Sequence, residues 1–244
     1  MLEVAHGQVA VKDSVSAPRP VSGSQLRDAF LHDTSALTLG LLRMHGTSLW
    51  LGPLELLRFG KASVSRSAVE WTIEGGLLSR APGGKLRIEA AGGRLVTSLD
   101  GYRPLLPSPL YVVTQLPVHH VFTRLQLLRV RGREPASGVV ARSSDRRRSA
   151  AVDLAFCAIL ARLAGRRRPR LKVFLGVAAA YHVTCWTISG RTLGGLVMRQ
   201  RLVSIDGSRP SFGQAVVRLL ALPVAWVHNR PDQDEIACTE VVVD

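Results

Sequence analysis

Cysteine, lysine and aromatic residues are all scarce in this chain of 244 residues. The three cysteines, Cys157, Cys185 and Cys238, are far apart and form no Cys-x-x-Cys or Cys/His cluster, which argues against a disulfide framework or a zinc site and fits a reducing compartment. Only 4 of the 32 basic residues are lysine. Residues 1–24 contain no apolar run of signal-peptide length, so we expect no cleaved secretory signal.

Catalytic motifs are also missing. The sequence has no phosphate-binding loop, no G-x-S-x-G elbow and no H-E-x-x-H helix. The adjacent pair His119 and His120 would point ~100° apart on a helix and could not share a metal, which favours a structural role. Glu70 and Glu74 would share one face of a strand, where solvated residues explain them as well as acid/base chemistry does. We therefore expect no catalytic residue, no metal site and no cofactor.

The charge balance is strongly basic, with 32 Lys and Arg against 18 Asp and Glu and a net charge of +14. Apolar residues make up 46% and the mean hydropathy is +0.15, which excludes bulk disorder and a many-span transporter. Nucleic acid would account for the charge, but aromatic residues are only 5% and do not interleave with the basic runs. Because those runs flank apolar segments, anionic lipid headgroups are the expected partner, and nucleic acid is not.

The N-terminal half is expected to be a mobile tail (1–24) followed by an α+β soluble domain (25–133). Residues 25–32 suggest a short helix capped by Ser24. A predicted strand at VEWTIE (69–74) leads into hairpins, because glycine pairs bracket the short apolar runs KLRIE (85–89) and RLVTSL (94–99). Residues 110–115 could form another strand, and Pro117 to Val130 has helical spacing.

A basic linker (134–148) separates this part from a small all-α membrane domain (149–244) of two to three apolar helices. The apolar segments are 149–164, 173–189 and 212–229. Arginine-rich stretches bound them, as at membrane interfaces. The 16 residues of the first segment reach only ~24 Å, against ~30 Å of hydrocarbon, and a soluble three-helix core would show the same lengths.

Three stretches of the last 99 residues carry a family resemblance. They are RRRSAAVDLAF (146–156), ISGRTLGGLVMRQRLVSIDGSRPSFGQAVVRLL (188–220) and DQDEIACTEVVVD (232–244). In this order they resemble the opening, the central signature and the close of the RDD family of small integral membrane domains. Two residues depart from the pattern, since Gln233 stands where the family usually has His, and Cys238 where it usually has Gly. The resemblance implies a membrane protein, often suspected of transport.

The resemblance also implies which residues matter. The named charges of the family would be an arginine among Arg146, Arg147 and Arg148, together with Asp153 and Asp234. The turn and strand of the signature correspond to Gly190, Arg191, Thr192, Leu193, Gly194, Asp206 and Gly207.

Asp153 and Arg218 are the membrane-embedded charges that we predict to pair, because both would lie ~6–9 Å below the same face. Arg146 is a competitor for Asp153, on the same helix face two turns away. A structural clamp is the alternative to a transport site.

Two predictions concern topology. Eleven basic residues lie on one predicted side, in the linker, in the residues just before it and in the second loop. The first loop, on the other side, has five: Arg166, Arg167, Arg168, Arg170 and Lys172. Orientation follows the larger count, so the N-terminal domain should face the cytoplasm of a multi-pass protein of the cell membrane. QRLVSID (200–206) and CTEVVV (238–243) both suggest strands, and if they pair, the third segment is re-entrant; a simple third span is the alternative.

The sequence thus predicts a membrane protein of the RDD type, a transport-related, accessory or anchoring component with no catalytic activity of its own. A homo-oligomer or a membrane partner protein is compatible with this role. The alternative is an enzymatic or ligand-binding domain in residues 25–133 that the rest of the chain anchors, which a cavity lined by polar groups would favour.

Overall fold

The computed structural model describes residues 2–5, 8–38, 40–164, 171–228 and 232–244. The chain divides into two compact units, Met1–Gly132 and Arg133–Asp244. The first is an antiparallel sheet with helices, which confirms the α+β prediction, and the second is a helical region with one long apolar helix. The second unit also contains a two-stranded sheet, so the expectation of an all-α domain was too simple.

The described part of the first unit forms a nine-stranded antiparallel sheet in the order β1-β2-β9-β8-β7-β5-β4-β3, with β6 also paired to β7. The strands are β1 (Leu2–Ala5), β2 (Gln8–Ser16), β3 (Leu42–His45), β4 (Ser48–Leu51), β5 (Leu54–Phe59), β6 (Ser63–Val64), β7 (Ala68–Gly75), β8 (Gly84–Ala91) and β9 (Arg94–Tyr102). The helices are α1 (Gly23–Leu37) and α2 (Ser108–Arg131).

Strand register sorts this sheet into an apolar and a polar face. Val11, Leu99, Leu86 and Trp71 are successive partners across four strands, and all four are buried. Phe30 of α1 packs on this face, with its ring centroid 4.7 Å from that of Trp71. The neighbouring row carries Lys12, Ser98, Arg87 and Glu70 on the opposite face, where charged side chains remain at least partly exposed. The sequence alternation thus places one core under the helices.

The hairpin predicted from the glycine pair at 92–93 is present between β8 and β9. Gly92 and Gly93 have φ of +56° and +70°. Two central residues with positive φ make a type I′ turn, whose twist matches that of the flanking strands, and glycine adopts this conformation at least cost.

Two predictions for segments that are helical need correction. Helix α1 starts earlier than expected and is capped by Ser22, whose hydroxyl accepts a hydrogen bond from the Gln25 amide, rather than by Ser24. Residues 110–115 are not a strand, because they lie within α2, which begins at Ser108 and continues through Pro117. Burial of Tyr111 beside Tyr102, with ring centroids 6.2 Å apart, outweighs the strand preference of the LYVVTQ stretch.

The first 24 residues do not form the predicted tail. Most of them belong to β1 and β2, and β2 pairs along its length with β9. Val9, Val11 and Val15 are buried there. Because valine alternates with polar residues, one face of β2 is apolar, as in a half-buried strand. Met1, His6 and Gly7 lie outside the described residues.

The second unit follows the predicted apolar segments closely. Its elements are α3 (Ser143–Ala164), α4 (Leu171–Ile188), α5 (Leu193–Val197), β10 (Gln200–Ser204), α6 (Phe212–His228), α7 (Asp232–Ile236) and β11 (Thr239–Val243). Residues 165–170, which include four arginines of the predicted first loop, and residue 229 lie outside the described residues. Strands β10 and β11 pair antiparallel, as their sequences suggested.

The predicted linker is largely structured. Residues 143–148 form the first turns of α3. The Ala141 amide donates to the Val241 carbonyl at 2.9 Å, and the Val243 amide donates to the Val139 carbonyl at 2.8 Å. These bonds add a short extended segment beside β11, and Arg133 pairs with Glu240 of that strand. Backbone pairing overrides the polar, glycine-containing composition that predicted a linker.

Candidate functional site

A cluster of buried charges joins four elements of the second unit. Arg218 of α6 and Asp234 of α7 are each only 5% exposed. The Arg218 guanidinium donates to the Asp234 carboxylate and, at 2.9 Å, to the Thr239 hydroxyl of β11. Arg146, near the start of α3, donates to the other oxygen of the same carboxylate. One carboxylate is therefore shared by two guanidinium groups from different helices.

The surroundings of this cluster exclude water. The Arg218 guanidinium carbon lies 5.3 Å from the centre of the Trp186 ring, a cation–π distance. Trp186 packs with Leu202 and Ala215 in the apolar core of the unit. Burial lowers the pKa of Arg146, but a guanidinium remains protonated near neutral pH, so the cluster stays ionic.

Asp153, another buried carboxylate of this unit, performs a different task. Its Oδ1 atom accepts hydrogen bonds from the Tyr181 hydroxyl at 2.9 Å and from the Gly194 amide at 2.8 Å. The Tyr181 hydroxyl in turn accepts from the Leu193 amide at 2.7 Å. Asp153 thereby holds the first turn of α5 against α3 and α4.

The predicted pair between Asp153 and Arg218 is wrong. Arg218 reaches α7 and β11, whereas Asp153 points to α4 and α5. Arg146, expected to compete for Asp153, also binds Asp234. Among the three candidate arginines, Arg146 is thus the one in the cluster.

The other two candidate arginines take no part in it. Arg147 is exposed, and Arg148 lies 3.8 Å from Asp145, one turn away on the same helix. Both therefore remain on the surface of α3.

The Gly-Arg-Thr-Leu-Gly stretch is a packing turn. Gly190 has φ of +73°, and a Cβ there would lie 2.7 Å from the Leu202 carbonyl oxygen. A Cβ on Gly194 would lie 2.0 Å from the Ser149 carbonyl oxygen, so only glycine lets α5 approach α3 this closely. Thr192 caps α5 by accepting from the Gly195 amide at 3.1 Å.

The remaining signature residues serve the surface and a second turn. Arg191 pairs with Asp244 at 2.8 Å, and Leu193 remains exposed. Asp206 accepts from the Ser208 amide at 3.1 Å, and Gly207 has φ of +79°. These contacts shape the loop after β10.

Gln214 is a structural residue that the sequence pattern did not single out. Its Nε2 atom lies 3.1 Å from the Ser204 hydroxyl and from the carbonyl oxygens of Ala237 and Cys238. It thereby joins α6 to β10 and to the turn before β11. A buried amide inside an otherwise apolar segment was the available signal.

Within the described residues, no group of three His, Cys, Asp or Glu side chains is placed to hold a metal ion. In the first unit, His120 Nδ1 lies 2.8 Å from an Asp13 carboxylate oxygen, which supports the structural interpretation of the histidine pair. Glu70 lies 3.1 Å from the Lys85 ammonium on the polar face of the sheet. Neither contact needs a catalytic explanation.

The first unit does carry a shallow cleft of about 270 Å³. Leu31, Phe59 and Trp71 contribute its apolar wall. Arg27 and Lys61 bring positive charge to the lining, and Glu74 brings one negative charge. Its volume falls just below the ~300–1,000 Å³ of typical ligand sites.

Of the helices in the described ranges, α4 is long and apolar enough to cross a membrane, and only 6% of it is buried. Helix α6 contributes a shorter apolar stretch, Phe212–Pro223.

Comparison with protein families shows that residues 169–233 match the RDD family, so the suspected resemblance is confirmed for this C-terminal segment. No match was found among curated proteins or among solved structures. The matched residues include α4, α5, β10 and α6, whereas Arg146, Asp153 and Asp234 lie outside them. The roles of those three charges therefore rest on the geometry above.

Proposed function

We propose that this chain, which carries an RDD family domain over residues 169–233, is a membrane-anchored accessory protein that holds its N-terminal unit at the membrane surface without catalytic activity of its own. The observation that carries the proposal is the exposure of α4. Its 18 residues span ~27 Å, close to the ~30 Å of a bilayer core.

The soluble alternative fits this exposure poorly. A three-helix core would bury one side of α4, yet Trp186 is the one residue of this helix that is buried among the described residues. Leu171, Leu175 and Ile188 are all more than half exposed. An apolar surface of this kind is unfavourable in water and favourable in lipid.

Helix α3 would enter the same bilayer as the partner of α4, making the domain multi-pass. Leu154, Ile159 and Leu163 are exposed on α3, while Ser149, Asp153, Cys157 and Ala161 form its buried side at four-residue spacing. Lipid would cover the first set, and the second packs within the unit.

Helix α6 would dip into the membrane and return. The pairing of β10 with β11 brings the segments before and after α6 together. The contact of Asp234 with Arg218 requires the chain after α6 to run back toward the middle of that helix. Pro223 lies within α6 and has no amide hydrogen, so one backbone hydrogen bond of the helix cannot form there.

The N-terminal unit would face the cytoplasm, because the exposed Arg147, Arg148, Arg199 and Arg209 lie in segments on the same side as the linker. These guanidinium groups would bind anionic lipid headgroups. Protease cleavage within residues 25–133 from outside intact cells would contradict this orientation.

Membrane fractionation tests the anchoring role. Ala180→Arg places a charge on an exposed position near the centre of α4, where hydrocarbon disfavours it by ~2.5–3.5 kcal/mol. We expect the wild type to resist alkaline carbonate extraction and the variant to be released in part.

The matched control is Val113→Arg, which adds the same charge to an exposed position on α2. It should leave the chain in the membrane fraction. If the wild type is extracted, or if Ala180→Arg behaves like the control, α4 is not in lipid and the proposal fails.

The cleft on the first unit favours a second candidate function, in which that unit binds a small anionic apolar ligand. Arg27 and Lys61 would meet the charge, and the aromatic wall would meet the apolar part. In a thermal-shift screen of aromatic carboxylates, stabilisation that Lys61→Gln abolishes would support it. A screen in which no compound stabilises the protein would leave the anchoring role alone.

A further inference from the structure

The C-terminal half of α3 and the first turn of α4 form a second cleft, of about 530 Å³, within the second unit. Its lining residues are Ala158, Ile159, Ala161, Arg162, Leu171 and Phe174. The volume lies inside the ~300–1,000 Å³ range of ligand sites. Five of the six side chains are apolar, and the exception is a guanidinium.

The positions of these residues explain the shape of the cleft. Ala158 and Ala161 are small, so α3 presents a groove rather than a ridge at this level. Leu171 and Phe174 of α4 form the facing wall. Arg162 is two residues from the end of α3, at the rim of the groove. Within the described residues, its side chain makes no hydrogen bond or ion pair.

We propose that this cleft binds one acyl chain of an anionic phospholipid, whose phosphate is held by Arg162. The inference rests on the proposed function, because α3 and α4 meet lipid only if the unit is inserted. Hydrocarbon then fills the apolar groove, and Arg162 reaches the headgroup level by extending its side chain toward the interface. Guanidinium groups bind phosphate through paired, charge-assisted hydrogen bonds.

Charge selects this occupant over a second copy of the chain. Arg162 and Lys172 both lie at this end of the two helices. An identical surface placed against it would bring like charges together, which is unfavourable. An anionic lipid supplies the missing negative charge and the apolar part in one molecule.

The experiment uses full-length protein purified in detergent and equilibrated with equal amounts of phosphatidylglycerol and phosphatidylcholine. Native mass spectrometry then counts the lipid molecules that remain bound. We expect the wild type to retain phosphatidylglycerol preferentially. Arg162→Gln should lower that retention about tenfold, because it removes the charge-assisted contact. Ala158→Leu should lower it similarly by filling the groove at an exposed position, with no change of charge.

Arg66→Gln is the matched control, since it removes an exposed arginine from the first unit, to which no lipid contact is assigned. Equal loss in this variant, or equal retention of the two lipids by the wild type, would overturn the inference by showing that net charge or unspecific adhesion decides binding. Carbonate extraction of every variant is measured in parallel. Resistant variants that lose the lipid preference support the cleft, whereas extraction of the wild type would instead count against membrane insertion itself.

Discussion

Asp234→Asn is the substitution that tests the charge cluster most directly. The amide keeps the size of the carboxylate but removes the negative charge that Arg146 and Arg218 share. Arg218 is only 5% exposed, so its guanidinium cannot reach solvent. Thr239 and the Trp186 ring would remain as its partners, and neither carries charge.

The expected loss follows from the burial of the cluster. Breaking a buried ion pair by removing one partner costs ~3–5 kcal/mol, because a desolvated charge is left without its counter-ion. For a unit of ~100 residues, 1 kcal/mol corresponds to ~4–8 °C in the unfolding midpoint. We therefore expect the midpoint of the second unit to fall by at least ~12 °C.

The distribution of cysteine provides the assay. All three cysteines belong to the second unit, where Cys157 and Cys238 are buried. A thiol-reactive fluorophore added during heating therefore reports the opening of that unit and is silent on the first. Full-length protein in detergent micelles is used throughout.

Asp244→Asn is the control, because Asp244 also bridges two arginines, Arg191 at 2.8 Å and Arg201 at 3.3 Å, but at the surface. Exposed pairs contribute ~0–1 kcal/mol, so its midpoint should shift by only a few degrees. Equal shifts in the two variants would refute the cluster as the clamp of the unit. Strict additivity of Asp234→Asn and Arg218→Gln would do so as well, since contacting residues are coupled.

Two further outcomes are expected. Gly194→Ala should destabilise the second unit in the thiol assay by several degrees, because its Cβ would meet the Ser149 carbonyl at 2.0 Å; Gly176→Ala, which meets nothing within 4 Å, should be neutral or stabilising. In the first unit, burial lowers the pKa of His119 to about 4, below the ~6.5 of an unfolded chain. The unfolded state then binds more protons between these values, so stability is lost as the pH falls through that window, and His119→Gln should flatten this dependence in hydrogen exchange of the β-sheet peptides.

The sequence predicted the elements whose signals are local. Helix α4 was placed within two residues of its bounds, because an apolar run flanked by charge needs no knowledge of its partners. The β8–β9 hairpin was recognised from Gly92 and Gly93, since the turn chemistry is contained in the two residues that adopt it. The RDD segment was identified from the same kind of contiguous pattern.

The first 24 residues show where local signals fail. Strand β2 consists of small and polar residues except for three valines, and it pairs with β9, which lies about 80–90 residues later in the chain. Val11 pairs with Leu99, and Val15 pairs with Leu95. Polar composition predicted a tail because the partner strand that buries these valines is invisible in a local window.

The mistaken ion pair has a different origin. Counting residues from the helix starts gave the positions of Asp153 and Arg218 along their helix axes. It did not give the direction in which each side chain leaves its helix, so equal depth did not mean contact. The missing information was the return of the chain through α7, which brings Asp234 beside Arg218.

Asp234 was a candidate from the resemblance, although Gln233 and Cys238 close to it depart from the family pattern. Cys238 nevertheless adopts φ of +49°, the left-handed conformation that a glycine at that position would favour. This turn lets Thr239, the next residue, reach Arg218. A residue other than glycine can adopt the left-handed conformation at a cost of ~1–2 kcal/mol. A cysteine in place of glycine at position 238 is therefore weak evidence against a role for Asp234.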